Sequence, residues 1–439
     1  MILRDPVHGL IEFEGDEAAI VPRLMATREV QRLRRIRQLG LTSLAFPGAE
    51  HTRFAHALGA AHVMRLLLAR LRQLDGELPF WQRVTSERAR DAIAAAFLHD
   101  LGHGPFSHLF EEAMPGAAHH ERWTERILLD PSSDVNRTLV QHDPHLPQRV
   151  ADLIRGRHEL PYLAKAVSGT FDVDRCDYLL RDAHATGVRY GEYDLPWLLR
   201  SLRFSDAPEG ADAQADVAPT LAIDGTKGLS AIESFLLARC FMFQQVYFHK
   251  STRSAEWMIG AILRRAIDRL QAGDRLPQVP AAVSAAAAGE EPTLGQHLEL
   301  DDQVLLGAIH AWEGAIDPVL ADLARRLRAR ALFKTIELFP EPGAGPALPE
   351  DAVRAAHETA RDIARAAGFD PDVYVGIDVA EDTPYAEDAS LLVVYPRGRP
   401  RRPAEVSFLL ERLRNATITR TRILFAPELR EAVREALIR

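Results

Sequence analysis

The sequence predicts a mostly α-helical body over residues 1–330 and a smaller α+β lobe over 331–439, and three observations carry this expectation. Aromatic residues are only 7% of the chain against 47% hydrophobic residues in all, so Leu, Ala, Ile and Val must build the core, a composition that favours helices. Apolar residues recur at helical spacing through successive segments up to about residue 272. Beyond about residue 331, short runs such as 332–339 (LFKTIELF) take the texture of strands.

In chain order, residues 1–15 (MILRDPVHGLIEFEG) read as an extended arm, with turn chemistry at Asp5-Pro6 and His8-Gly9 and a strand at 10–13. Residues 23–39 take a helical pattern, with Leu24, Val30, Leu33 and Ile36 on or near one face. Amphipathic helices follow at 56–72 and 88–99, then further helices at 119–130, 148–156, 161–168, 174–184, 194–202, 228–245 and 253–272. Two stretches rich in Ala, Pro, Gly and acid, 205–219 and 274–292, read as exposed loop excursions. In the terminal lobe, 332–339, 373–378 and 391–395 read as strands, and 350–367 and 426–438 as helices.

Charge and cysteine content narrow the function classes. A net charge of −9 argues against nucleic-acid coating, which needs a basic surface to release counterions, but leaves room for a local basic pocket. Two cysteines, Cys176 and Cys240, are too few for a disulfide framework or a Cys-based zinc site. With no apolar signal core and no run approaching ~18 apolar residues, the expectation is a cytoplasmic protein without membrane attachment.

The strongest local feature is His99-Asp100-Leu101-Gly102-His103-Gly104-Pro105-Phe106-Ser107-His108. Adjacent His and Asp at a helix end offer an imidazole nitrogen and a carboxylate oxygen to one ion, a mix that suits iron, manganese, zinc or nickel. Gly102 and Gly104 break the helix and let His103 and His108 turn toward the same place. An isolated His-Asp pair is usually accidental; three histidines within ten residues, with helix-then-turn punctuation, are not. Two ligands cannot hold a catalytic metal. Candidates for the rest are His51–His56 (HTRFAH) upstream and 171–182 (FDVDRCDYLLRD) downstream, where Asp174, Tyr178 and Asp182 share a helix face. Alone, the second segment would read as a solvated face with ion pairs to Arg175 and Arg181.

In this order HTRFAH, HDLGHGPFSH, HHE and DVDRCDYLLRD resemble the HD-domain deoxynucleoside triphosphate triphosphohydrolase family, which includes the human SAM-and-HD-domain restriction factor and its bacterial relatives. The opening RDPVHGLIEF, the segment QRLRRIRQLG and the stretch around Tyr247–Lys250 are similar too; no SAM module is visible. The resemblance implies an HD-type helical catalytic core in 1–330 that hydrolyses a deoxynucleoside triphosphate to the deoxynucleoside and inorganic triphosphate. Through it, His56, His99, Asp100 and Asp174 match four ligands of one divalent transition metal, with Mg2+ on the substrate triphosphate a further candidate. Arg53 would grip the phosphate nearest the sugar. His108 would protonate the leaving 5′ oxygen, oriented by Glu111, and His103, His120 and Glu121 complete the catalytic cluster. Gln38 and Leu39 match sugar contacts, Tyr178 and Asp182 the deoxyribose wall and its 3′-hydroxyl site. Arg175 and Arg239 fall on phosphate-binding positions, and Tyr247 packs where a 2′-hydroxyl would sit.

The match has departures. Arg175 stands where the family often has lysine, and Phe243 where the human protein has a histidine. Gln31 and Arg34 match two positions of a guanine-nucleotide activator site, but Ala26 replaces its guanine-reading aspartate, so a nucleotide activator is only a candidate partner. A homo-oligomer is expected by resemblance alone. His51, His62 and His249 read as structural or surface histidines. Two other readings stay open: a phosphohydrolase acting on another nucleotide or phosphate ester, and a nucleotide-binding regulator with vestigial catalysis. A pure binder would not need all four ligands and the histidine cluster.

Overall fold

The computed structural model describes residues 1–106, 110, 114, 118–205, 220–340, 348–387 and 391–438. It is mostly helical with small sheets, as the sequence predicts. The first hydrophobic core is built round the long helix Arg53–Gln73, which packs against helices Ser86–Leu98 and Val173–Thr186. Small residues make the close approach possible. A Cβ on Gly59 would fall on the Asp177 carboxylate, so the crossing tolerates no side chain there.

Local chemistry sets the helix ends. Thr85 caps Ser86–Leu98 by accepting the Arg88 N–H at 3.2 Å. Asp172 caps Val173–Thr186 by accepting the Arg175 N–H at 2.8 Å, and Gly187 ends that helix in the left-handed region at φ 77°. After Leu98 the chain turns at Gly102 against the helix His120–Leu129. Gly102 N–H donates to Thr124 Oγ1 at 2.9 Å, and a Cβ here would overlap backbone atoms of His120 and Thr124. The arm at the amino terminus is a hairpin, Ile2–Asp5 paired antiparallel with Gly9–Glu12. Asp5 Oδ1 accepts the N–H groups of Val7 and His8, each at 2.9 Å, which closes its turn.

Three expectations need correction or restriction. Residues 23–39 are not one helix but short pieces, Ile20–Met25 and Arg28–Arg32 followed by a 3-10 turn at Leu33–Arg35. Thr27 takes extended angles (φ −75°, ψ 147°) between the first two, and Arg37 leaves the helical path to bridge Thr52. Within 274–292, Ala281–Ala287 is a helix with Ala282, Val283 and Ala286 buried against helix Lys250–Gln271, because alanine is both the best helix former and small enough to dock closely. Of the other excursion, 206–219 lies outside the described residues, while Leu202–Ser205 is a strand.

A second core joins helices Lys250–Gln271, Asp302–Trp312 and Pro318–Arg328 to an antiparallel sheet. Strand Ile418–Phe425 lies central in that sheet between Lys334–Leu338 and Val375–Asp382, with Ile423 opposite both Ile336 and Ile377. Helix Glu350–Ala366 packs on it through Ala360 and Ala364. The strand-bearing segment therefore shares its core with the helices before it. Strand Leu392–Val394 instead returns to the first core, parallel to Thr220–Asp224, which also pairs with Leu202–Ser205.

Substituting Gly102→Ala should force the turn from its helix and destabilise the fold by about 1–3 kcal/mol, with loss of bound metal. Gly156→Ala, at φ 71° with open space around it, should cost only about 1 kcal/mol of backbone strain. Urea midpoints check this; equal midpoints for the two variants would mean that the turn is free to shift.

Candidate metal centre

Three side chains from three helical segments, His56, His99 and Asp174, converge on one point, and Asp100 borders them. His56 sits near the start of helix Arg53–Gln73, His99 and Asp100 follow helix Ser86–Leu98, and Asp174 opens helix Val173–Thr186. His56 Nε2 lies 3.3 Å from His99 Nε2 and 3.0 Å from Asp174 Oδ1, and His99 Nε2 is 3.4 Å from Asp174 Oδ1. Asp100 stands beside these three, Oδ1 at 3.4 Å from His99 Nε2 and Oδ2 at 3.7 Å from His56 Nε2. Donors about 2.1 Å from one ion and roughly 90–110° apart stand about 3.0–3.4 Å from each other. His56, His99 and Asp174 at that spacing fit a divalent transition metal, with Asp100 the candidate fourth ligand.

The second nitrogen of each imidazole is already engaged. His56 Nδ1 faces Asp177 Oδ2 at 2.8 Å and His99 Nδ1 faces the Ala96 carbonyl at 2.9 Å, so each Nδ1 carries the proton and each Nε2 is left to bind. Asp177 is wholly buried. Its carboxylate accepts from Arg181 Nε at 2.8 Å and Nη2 at 2.9 Å, and from His8 Nε2 at 2.6 Å. Burial resists the charge on Asp177, but Arg181 and the two histidines outweigh it and hold the carboxyl well below its usual range. Burial likewise opposes a proton on His56, yet hydrogen bonds to Asp174 and Asp177 raise that imidazole to about 10. Burial also works against His99, and Asp100 with Asp174 lift it to about 9. The negative charge that attracts these protons is what a cation would use instead.

Of the expected catalytic cluster, His103 is buried, 3.2 Å from Asp100 Oδ1 through Nε2, and stacked on His120 at 3.8 Å between centroids. Burial, reinforced by Arg53, pushes the His103 imidazole well below its usual range, so it is neutral at pH 7. Glu121 is exposed beside His119. His108 and Glu111 lie outside the described residues.

A cavity of about 650 Å3 is lined by Gln38, Leu39, Arg53, Tyr178, Asp182 and Tyr247, with Phe106, Phe243 and Trp257. Arg53 is buried and donates to the Asp100 carboxylate, which joins the cavity to the metal ligands. Tyr247 lies in a π-helical turn, Phe243–Tyr247, at the end of helix Leu229–Met242. Its hydroxyl donates to Asp182 Oδ2 at 2.8 Å, its ring meets Tyr178 edge-on at 6.3 Å, and Phe243 packs on it at 4.9 Å. The other Asp182 oxygen is 2.7 Å from His51 Nε2, so His51 belongs to this wall rather than to the surface. Arg175 and Arg239 are not brought to the lining. Arg175 is held by Asp172 at 2.5 Å, and Arg239 by the Pro384 carbonyl at 2.7 Å and by Asp382 at 3.2 Å. Gln31 and Arg34 bond each other at 2.9 Å, with Arg34 over the Phe54 ring. Sequence reasoning missed Asp177, His8 and His51; the motifs DVDRCD, RDPVHG and HTRFAH contain them, but only the fold shows what they touch.

Residues 53–182 match the HD domain, and 214–278 and 279–439 match the HD associated region. Uncharacterized protein YwfO of Bacillus subtilis is 35% identical over 384 residues, 88% of this chain and 80% of that protein. Deoxynucleoside triphosphate triphosphohydrolase SAMHD1 of Homo sapiens is 27% identical over 372 residues, 76% of this chain and 54% of that protein, so the chain spans about half of its length. A crystal structure of a phosphohydrolase from Bacteroides thetaiotaomicron superimposes with a TM-score of 0.79 at 27% identity, covering 97% of this chain and 99% of that one. Among the described residues, no helix is long and apolar enough to cross a membrane.

Two outcomes follow for metal binding. His99→Ala should abolish binding of one ion with most helical content kept, while Asp177→Asn should weaken it by roughly 10–100-fold; titration calorimetry with Mn2+ checks both, and parent affinity in Asp177→Asn would remove that carboxylate from the centre. Because both imidazoles hold protons that an ion must displace, affinity should rise with pH from 6 to 8, by about ten- to hundredfold per unit for one or two protons released. Calorimetry in buffers of different ionisation enthalpy counts those protons, and a pH-independent affinity would contradict the assignment.

Proposed function

Since the chain belongs to the HD-domain family of phosphohydrolases, we propose that it hydrolyses deoxynucleoside triphosphates to the deoxynucleoside and inorganic triphosphate. The observation that carries this reading is the continuity of one cavity, from Arg53 beside the metal ligand Asp100 to the wall of Tyr178, Asp182 and Tyr247. Among relatives, SAMHD1 proteins bear that activity in their names.

His56, His99, Asp174 and Asp100 would hold a divalent ion, which would supply Lewis-acid polarisation to water and phosphate. The protein's own residues do the rest. Arg53 presents a guanidinium where phosphate charge collects. Asp182, fixed by His51 and Tyr247, keeps lone pairs for a 3′-hydroxyl, and Gln38 stands on the same cavity lining. Burial pushes the Tyr178 and Tyr247 hydroxyls up, so both stay protonated and neutral against the sugar. The resemblance gives protonation of the leaving 5′ oxygen to His108, oriented by Glu111; His103, neutral and stacked on His120, completes the cluster with Glu121 as a hydrogen-bonding partner and not as the acid. Arg175 and Arg239 would reach phosphate by exchanging Asp172 and Asp382 for it. Mg2+ on the substrate, a nucleotide activator, a homo-oligomeric state and a cytoplasmic location belong to the same proposal.

The aromatic wall should exclude a 2′-hydroxyl, because a packed ring relaxes little. Deoxyribonucleotides are therefore expected to exceed matched ribonucleotides in kcat/KM by about tenfold or more, and Tyr247→Ala should narrow that ratio. Parallel kinetics on all eight triphosphates make the test. Equal efficiency on both sugars in the parent would sink the gate and favour a broader phosphohydrolase.

A further inference from the structure

Asp302 lies in the HD-associated region, far along the chain from the metal ligands, yet its side chain holds two segments that wall the substrate cavity. It is 2% exposed. Oδ2 accepts the backbone N–H of Arg37 at 2.9 Å and Oδ1 accepts that of Phe106 at 3.0 Å, across 265 and 196 residues. Arg37 belongs to a short bridge with Thr52, in which Gln38 N–H donates to the His51 carbonyl and Arg53 N–H to the Ile36 carbonyl, each at 3.0 Å. That bridge sets Gln38, His51 and Arg53 in one unit. Phe106 follows the turn that carries His103, and it sits at φ 54°, a left-handed conformation that a phenylalanine keeps only when it is held. Gln38, Arg53 and Phe106 all line the cavity.

Helix capping does not account for this carboxylate. Asp301 already caps helix Asp302–Trp312, accepting the Gln303 and Val304 N–H groups at 3.0 Å. Burial pushes the Asp302 carboxyl up to about 6 even though the Arg37 and Phe106 amides, Arg37 and Arg53 draw it down. A buried charge on two backbone amides from separate loops is costly unless it sets their spacing. Its neighbours make separate contacts to the same stretch: Arg32 donates to the Leu300 carbonyl at 2.8 Å and Arg35 to Asp301 at 2.5 Å.

We infer that Asp302 is a positioning residue through which the HD-associated region fixes the distance between the Gln38–Arg53 wall and the turn after His103. Asparagine in its place accepts from one amide and turns an NH2 toward the other, so one wall is released without any change of volume. Asp301→Ala is the control: it loses the helix cap and the Arg35 pair on the same turn but touches neither amide.

The role rests on the hydrolase reading, so local hydrogen exchange is measured beside turnover. In Asp302→Asn the amides of 36–39, 104 and 106 should exchange about tenfold faster than in the parent, with a full complement of Mn2+ and kcat lower by about ten- to hundredfold. Asp301→Ala should melt earlier yet keep kcat within about threefold and leave those amides protected. Unchanged exchange in Asp302→Asn would overturn the clamp, and faster exchange with parental kcat would overturn its positioning role. A parent inert toward every deoxynucleoside triphosphate would refute the proposed function instead; the kcat comparison is then made with bis(p-nitrophenyl) phosphate, and exchange tests the clamp as before.

Discussion

One buried carboxylate holds the metal-side architecture in place. Asp177 is inaccessible to solvent and takes hydrogen bonds from His56, His8 and both ends of the Arg181 guanidinium. An unpaired charge there would be untenable, and removing one partner of such a buried pair typically costs roughly 3–5 kcal/mol. The need to satisfy it draws three pieces of chain together: the hairpin with His8, helix Arg53–Gln73 with His56, and helix Val173–Thr186 with Arg181. Asp5 completes the ring by accepting from Arg181 at 2.8 Å while its other oxygen closes the hairpin turn. Gly59 is the steric counterpart, since any side chain at that crossing would displace the carboxylate. The orientation of a metal ligand is thus inherited from the packing of the first core.

The electrostatics of the cavity follow from local pairing, not from net charge. An acidic chain would repel a triphosphate, which carries about four negative charges at neutral pH, unless cations were concentrated at one place. Arg53, Arg253 and Arg264 line the cavity, but Arg53 leans on Asp100 and Arg253 on Asp378. These acids keep the arginines oriented before a ligand arrives. They also mean that an incoming phosphate competes with carboxylates, so affinity depends on how much of each guanidinium remains available, and an ion at the metal centre would free part of Arg53 by drawing on Asp100.

The candidate metal ligands were legible because their motifs are local: a His-Asp pair closing an apolar helix, and acids spaced along one helix face. The helices that carry them were legible from periodicity for the same reason. What lay beyond reach were contacts between segments distant in sequence. His8 meets Asp177 across 169 residues and His51 meets Asp182 across 131, and no spacing rule joins such positions. Residues 23–39 misled because their apolar pattern is helical while the bridge from Arg37 to Thr52 needs extended backbone, and the tertiary bridge prevails over local preference. The alanine-rich stretch at 281–287 misled in the opposite sense, since its polar and proline-rich flanks masked a docked helix. Helices Asp302–Trp312 and Pro318–Arg328 went unread although Asp301 and Asp317-Pro318 are ordinary start signals.

The two cores divide the labour of the site. The candidate metal ligands rise from elements of the first core, whereas Leu41, Phe106, Phe110 and Met114 pack into the second, beside residues of helix Lys250–Gln271 and of the antiparallel sheet. The turn leading from the His-Asp pair is therefore rooted in one core and anchored in the other. Strand Val375–Asp382 extends the same arrangement by placing Ile377 and Val379 on the cavity lining. Binding an ion requires only the first core to be well packed. Placing a substrate against that ion requires the two cores to be docked in register, because their facing surfaces form opposite walls of one cavity. Repacking within the second core should then reach turnover before it reaches metal affinity, which gives the region beyond the HD domain a physical share in the chemistry.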